Sequence, residues 1–391
     1  MKTTVLRSTA IAVASALGIW LACANAMAQN YPTRPIRLIV PFAQGGGPGS
    51  RRGGWFWGGD GALPPGSWHG ALRRVVIAIL ALASFSAGAV AAQQYPTRPI
   101  RLIVPFAPGG GTDITARAVA QKLSESWGQT VVADNRAGAN GTIGVDLAAK
   151  SAPDGYTIAM ISSSHAVNVG LYTKLPYDLL KDLTPVTQAT SQPYVMVIHP
   201  SVPAKSVREF IAYAKSKPGG VNYGSSGTGG ISHLGGALLA SIAGIEMVHI
   251  PYKGGAPSTL DLIAGQIQMQ LGTLLLTGPH IKSGKLRVLA VTTPKRWPGT
   301  PELPTMQEAG VPGFAITQWY GMIAPAKTPP AIVNKLSKEI SRLLHQPDVK
   351  EKLAADGADA VGNTPEQFGV HIKAEVEKYG KLVKQIGLKA E

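Results

Sequence analysis

Cysteine is almost absent: the one thiol in 391 residues is Cys23, close to the start of the chain. Beyond it no disulfide framework, cysteine-ligated metal or cysteine nucleophile can be built. Cys23 follows Trp20-Leu21-Ala22, a poor lipidation signal. Aromatic residues are scarce too, at 6%, and no Lys/Arg cluster or basic helix stands out. Nucleic acid is held by basic patches and stacked on aromatic rings, so it is not an expected partner. The 8 histidines form no HExxH and no close pairing with carboxylates, and no metal is expected. No glycine loop is followed by Gly-Lys-Ser/Thr and none reads GxGxxG, so no nucleotide or other cofactor is expected. No apolar run reaches the roughly 18–20 residues of a membrane-spanning helix.

What is present begins with a duplication. YPTRPIRLIVPFA occurs at Tyr31–Ala43 and again at Tyr95–Ala107. The first copy leads into PGSRRGGWFWGGDGALPPGSWHG, which has neither a helical nor a strand period. Each copy is preceded by a charged start, a short apolar middle and a small-residue exit. Met1–Ala28 carries Lys2, Arg7 and Ala26-Met27-Ala28; His69–Ala92 carries Arg73, Arg74 and Val90-Ala91-Ala92. Both have the layout of a secretory signal peptide. The expectation is a false start, residues 1–92, ahead of a mature chain cleaved before Gln93. A two-signal precursor is the alternative.

Residues 1–92 hold 8 of the 37 Lys+Arg and 1 of the 22 Asp+Glu, so 29 basic and 21 acidic residues remain and the formal charge falls from +15 to +8. That moderate excess suits a small anionic ligand or a negative surface. Along the mature part, short apolar runs alternate with helix-length runs. Strands are expected at Ile100–Phe106, Val131–Ala133, Thr157–Ser162, Tyr194–His199, Val221–Ser225, Met247–Tyr252, Ile267–Leu271, Leu286–Thr292 and Tyr320–Ala324. Helices are expected at Asp113–Trp127, Ile143–Lys150, Val207–Lys217 and Ile231–Ala243, with a mostly helical tail from Pro330. The alternation predicts an α/β fold with mainly parallel sheets. Crossings at Tyr194–His199 and Trp319–Ala324 would divide it into one lobe of 95–197 plus 320–391 and another of 198–319. Parallel sheets put ligands at the carboxyl ends of their strands.

Three stretches share one plan of strand, glycine loop and helix start. PFAPGGGTDITAR (Pro105–Arg117) has glycines that admit backbone close to a ligand and a helix N-terminus that offers N–H groups to an anion; Thr112 or Asp113 reads as a cap. NYGSSGTGGISHL (Asn222–Leu234) adds the hydroxyls of Ser225, Ser226 and Thr228. HIPYKGGAPSTLDLIAGQI (His249–Ile267) ends its strand in Tyr252 and Lys253, with Pro257 in the first helical turn. SSSH (Ser162–His165) reads either as hydroxyl donors at a strand end or as a surface turn. NRAGANGTIG (Asn135–Gly144) reads as a plain turn. Ser226 and His233 do not make a hydrolase, because the nucleophile elbow needs glycine where Thr228 stands. Several helix starts facing one anion form a binding device without nucleophile, base or metal, and no enzyme is expected.

YPTRPIRLIVPFAPGGGTDITAR, YGSSGTGGISHL, HIPYKGGAPSTLDLIAGQI, GKLRVLAVTTPKR (Gly284–Arg296) and WYGMIAPAKTP (Trp319–Pro329) together resemble the Bug family, the tripartite tricarboxylate transporter substrate-binding proteins. The resemblance spans Tyr95 to the C-terminus. It implies a two-lobe periplasmic binding protein of type II, a monomeric "Venus flytrap" that captures a small organic carboxylate. It implies delivery to a membrane permease with one large and one small subunit; a sensor reporting to a receptor kinase is the alternative. The family's ligand loops match Phe106, Ala107, Pro108, Gly110, Gly111, Thr112 and Asp113; Ser163, Ser164 and His165; and Ser225, Ser226, Gly227, Thr228, Gly229 and Ser232. Tyr252, Lys253 and Trp319 are further candidates to line the cleft. Where relatives often carry Phe-Asp or Phe-Gly, this chain has Leu271-Gly272-Thr273. An acid that would favour an amine-bearing ligand is missing there, which tilts the expectation toward plain carboxylates.

Overall fold

In the computed structural model of the protein the described residues are 95–389, save 356. The duplicated leaders, the stretch between them and the cleavage expected before Gln93 lie outside them. The first strand, β1 (Ile100–Val104), is apolar at every position but Arg101. Pro105 ends it two residues early, because proline has no N–H to give a neighbouring strand. Helix α1 (Gly111–Trp127) follows and closes on left-handed Gly128. Then come β2 (Val131–Asn135), a single 3-10 turn at Ala139–Gly141, α2 (Thr142–Ala149), β3 (Thr157–Ser162) and α3 (Ser163–Leu171).

The long strand β4 (Leu183–Ile198) leads to α4 (Val207–Lys215), β5 (Asn222–Ser225), α5 (Ile231–Ala243), β6 (Val248–Pro251) and α6 (Gly255–Ile263). Next are β7 (Met269–Thr273), α7 (Leu274–Lys282) and β8 (Arg287–Val291). The chain returns through β9 (Thr317–Pro325) and ends in α8 (Pro330–Leu344), α9 (Pro347–Ala355), the two-residue β10 (Asp359–Ala360) and α10 (Pro365–Gln385).

The strands run in the order β2-β1-β3-β9-β4-β7-β5-β6, with β8 and β10 also paired to β4. β1 pairs in parallel with β2 and β3, and β5 with β6 and β7. These are the βαβ units the alternation implied, and the α/β two-lobe class stands. The antiparallel pairs all involve β4 or β9. β4 joins the halves of the sheet: Leu183 to Pro193 pair with β9, and Tyr194 to Ile198 with β7 and β8. Sequence signals missed its first half because Pro185 and Pro193 read as breakers. Pro185 sits at a register shift and Pro193 where the pairing changes, two places where a sheet tolerates proline.

Apolar alternation carries the packing. In β1, Leu102 and Val104 join one core cluster with Val119, Leu123 and Met322, while Ile103 joins another on the opposite face. A strand covered on both faces reads as a continuous apolar run. In β4, Val195 and Val197 face Leu262 and Ile267, while Met196 and Ile198 face Phe210 and Leu234. The fully buried Thr292 clamps the crossing: its one hydroxyl hydrogen is shared between the carbonyls of Ile316 (2.8 Å) and Tyr194 (3.1 Å), and its oxygen accepts from the Tyr194 N–H (3.0 Å).

Helix α3, which opens at the cleft, is held from behind by α10 through a glycine contact. A β-carbon on Gly170 would sit 2.7 Å from Gly380 Cα, whereas one on Gly380 would find its nearest such neighbour at 4.0 Å. The contact is therefore asymmetric. Gly170→Ala should destabilise the protein by about 1–3 kcal/mol through overpacking. Gly380→Ala should be neutral or stabilising by about 0.5–1 kcal/mol, since alanine is the better helix former. Thermal or urea unfolding of the two variants checks the difference, and equal losses would contradict this packing.

Candidate functional site

Four helix starts meet at the seam between the halves of the sheet: α1 from one half, and α5, α6 and α7 from the other. Their N-cap residues are Gly110, Gly230, Gly254 and Thr273, and none gives a side-chain cap to its helix. Glycine has no side chain to give, so first-turn N–H groups are left for other acceptors; in α5 the Ile231 N–H goes to Ser164 Oγ (3.1 Å) across the seam. Ideal β-carbons measure how closely the starts approach. One on Gly110 would lie 3.8 Å from the amide nitrogens of Gly255 and Ala256; one on Gly111 would lie 3.1 Å from Thr273 Oγ1 and 2.4 Å from the Tyr320 hydroxyl.

Between these starts lies a narrow cavity of about 30 Å³. Gly110, Gly111, Thr112, Ser162, Ser164, Gln318 and Tyr320 line it from one side, and Ser226, Ser232, Gly255, Gln270 and Thr273 from the other. Among the described residues no Lys, Arg, His, Asp or Glu lines it. Tyr320 is buried, which pushes its phenol up to about 12 and keeps it a hydrogen-bond donor at neutral pH. Thr273 Oγ1 is buried without a partner. A second cavity, of about 240 Å³, adjoins the first and shares Phe106 and Ser226 with it. Gly138 to Gly141, Tyr172, Gly227, Thr228, Pro251, Tyr252 and Lys253 complete its wall, and Lys253 is the one charged side chain among them.

The expected site residues divide into three groups. Phe106, Gly110, Gly111, Thr112, Ser164, Ser226 and Ser232 line the first cavity, and Gly227, Thr228, Tyr252 and Lys253 the second. A second group braces the loops instead. Asp113 accepts from the Gly109 N–H (2.9 Å), Asn135 Nδ2 (2.9 Å) and Arg117 Nε (2.9 Å). Burial raises its carboxyl, but these donors win and hold it below the usual value. Ser163 donates to Gln318. His165 accepts from the Ser162 N–H (3.0 Å) and meets the Phe106 ring edge-on. Ser225 lies 2.6 Å from His249 Nε2 and accepts from the Gly227 N–H (3.1 Å), while the Gly229 N–H donates to His233 (3.0 Å). Ala107 spans the seam, its N–H donating to the Lys253 carbonyl (3.0 Å), and Pro108 is exposed outside both cavities.

Trp319 is placed away from the cleft. It is 1% exposed, packs edge-on against Phe368 and donates its indole N–H to Glu375 (3.0 Å). Successive strand residues face opposite sides, so Gln318 and Tyr320 reach the cavity and Trp319 cannot. Sequence reasoning missed Tyr320, Gln318, Gln270, Gly255 and Thr273. The Thr273–Leu274 helix start went unseen because Gly278 and Pro279 inside α7 read as breakers. The one available signal was the strand Ile267–Leu271 running into Gly272-Thr273.

Three histidines support the loops in neutral form. His233 and His249 stack with ring centroids 3.7 Å apart, and His165 is fully buried. Burial lowers His165 and His233 to about 4 and His249, next to His233, to about 3.

A two-part α/β sheet with helix starts around a seam cavity defines a two-lobe ligand-binding protein. The profile of the tripartite tricarboxylate transporter family receptor matches residues 115–388, and the chain belongs to that family. It is 40% identical over 316 residues to Protein BugT of Bordetella pertussis (strain Tohama I), covering 80% of this chain and 97% of that protein. Rpa4515 of R. palustris, solved with adipate, superposes with a TM-score of 0.74 at 38% identity, over 75% of this chain and 99% of that one. MatC (Rpa3494) of Rhodopseudomonas palustris, solved with malate, gives 0.71 at 31% identity, over 74% and 100%.

Two outcomes follow for the isolated protein. Gly111→Val should abolish ligand binding in calorimetry with the fold intact by circular dichroism, because its side chain would meet Tyr320 and Thr273; undiminished affinity would contradict the cavity's role. The second concerns acid. An unfolded histidine takes a proton near pH 6.5, whereas these three resist one until about pH 4 or below. Stability present above pH 6.5 is therefore lost as the pH falls toward 4. The melting temperature should drop across that window, and less steeply in His249→Gln.

Proposed function

We propose that the chain is a periplasmic solute-binding protein that captures a small carboxylate-bearing organic anion. It would hand the anion to a tripartite tricarboxylate-type permease with one large and one small membrane subunit. The observation that carries this reading is the ring of uncapped helix starts around a cavity with no charged side chain. A carboxylate accepts from open N–H groups and complements the positive helix ends. Each such charged hydrogen bond contributes about 1.5–3 kcal/mol. A handful offsets the cost of association and reaches the ~8 kcal/mol of a micromolar complex without any arginine.

The adipate and malate in the two Rhodopseudomonas relatives support the carboxylate class. Among the described residues no acidic side chain lines either cavity, which argues against an ammonium-bearing ligand. The lobes already touch, through Ala107 to Lys253, Ile231 N–H to Ser164 Oγ (3.1 Å) and Tyr172 Oη to the Thr228 carbonyl (2.9 Å). A ligand with more affinity for this closed form than for an open one would drive closure about the Thr292 clamp. Binding without turnover is the function favoured. The Ser225–His249 pair resembles a nucleophile with its base, but Ser225 is fully buried and lines neither cavity.

Native mass spectrometry of the monomer taken from the periplasm of an expressing cell tests the proposal. The expected result is a mass fitting Gln93–Glu391 with one small acidic adduct that calorimetry confirms as a ligand. Turnover of that ligand, or an adduct without a carboxylate, would overturn the proposal.

A further inference from the structure

The NRAGANG turn between β2 and α2 looks like a connector in sequence, yet its backbone is held in a costly shape. Ala139 has φ 45° and Asn140 φ 48°, left-handed values uncommon for residues other than glycine. Asn140 is 5% exposed. Its amide orientation is fixed by a neighbour. Asn168 Nδ2 donates to the Asn140 main-chain carbonyl (3.2 Å), which can only accept. Asn168 must then turn its Oδ1 to the Asn140 side chain, and Asn140 meets it with Nδ2 at 2.7 Å. Asn140 Oδ1 is left over, buried and without a partner.

The residue belongs to a cavity wall, with the oxygen itself buried behind it. Asn140 lines the second cavity, and Ser226 lines both cavities. A β-carbon on Gly230 would come within 2.9 Å of both Asn140 Oδ1 and Ser226 Oγ. Glycine at that position leaves a notch between an unpaired acceptor and a hydroxyl, beside the helix starts. An unsatisfied buried acceptor is costly, and a ligand that donates to it removes the cost.

We propose that Asn140 is a specificity-determining residue that reads a hydroxyl on the carboxylate held at the helix starts. The hydroxyl donates to Asn140 Oδ1 and accepts from the Ser226 hydroxyl. An ammonium would find no acidic partner among the lining residues. This rests on the carboxylate reading of the cleft and narrows it to hydroxy acids.

The test is calorimetry on the full chain with matched acids: succinate against malate, phenylacetate against mandelate, and aspartate as the ammonium counterpart. At least one hydroxylated acid should bind tighter than its parent by about tenfold or more, since a site built to hydrogen-bond a hydroxyl rejects the analogue without one. In Asn140→Gly, which glycine's tolerance of positive φ keeps foldable, that ratio should collapse toward one. Gly230→Ala, which fills the notch, should weaken the hydroxylated acid more than its parent. Equal binding of parent and hydroxylated acids, a preference for aspartate, or an unchanged ratio in Asn140→Gly would overturn the role of Asn140 alone. Failure of every acid to bind the unmodified protein would overturn the carboxylate reading together with it.

Discussion

Helix ends of the same sign do not pack against each other without something negative between them. Here the N-terminus of α1 approaches those of α6 and α7 so closely that β-carbons on Gly110 and Gly111 would fall within 4 Å of the opposing residues. Each end carries roughly half a positive charge from its unpaired N–H groups, and no carboxylate side chain lines the gap. The rest of the architecture serves this juxtaposition. The parallel βαβ units aim each helix start at a strand's carboxyl end, and β4, clamped through Thr292, joins the two halves at the seam. The glycine caps keep the helix starts open.

Neutrality is the second constraint. Apart from Lys253 in the second cavity, the groups that could carry charge near the cleft are neutralised or turned away. Asp113 is enclosed by Arg117, Asn135 and the Gly109 N–H, so it braces the loop instead of repelling an anion. The buried imidazoles of His165, His233 and His249 hold loop geometry uncharged. The polar groups that line the first cavity are backbone, hydroxyl, amide and the protonated Tyr320. On the proposed reading, a site built this way changes ligands by altering loop contours, because little recognition depends on any one side chain. On the same reading, selectivity comes from the few polar atoms fixed beside the cavities, such as Asn140 Oδ1.

Much of this was legible in the sequence, for identifiable reasons. Buried parallel strands such as IRLIV and TIAMIS announce themselves as apolar runs, and the loops after β1 and β5 announce themselves by glycine and by the helices that follow. The α/β class and the first-lobe loop were therefore readable. Less was visible where local signals conflict with tertiary demand. Pro185 and Pro193 hid half of β4, and Pro279 hid α7 with its contribution at Thr273. Trp319 looked like a cleft aromatic, but the two-residue strand period gives the cleft to Tyr320. Asn140 could not be found from sequence, because its meaning lies in an amide orientation set by Asn168, 28 positions away.

The central claim is that backbone N–H groups at opposed helix starts, without a charged side chain, hold the ligand's carboxylate. A crystal structure of the protein with its tightest-binding organic acid tests it most directly. The account predicts carboxylate oxygens within hydrogen-bond distance of N–H groups in the first turns of α1 and of α6 or α7, with Tyr320 or Thr273 adding a hydroxyl. A carboxylate paired instead with Lys253, or seated outside the seam, would contradict it.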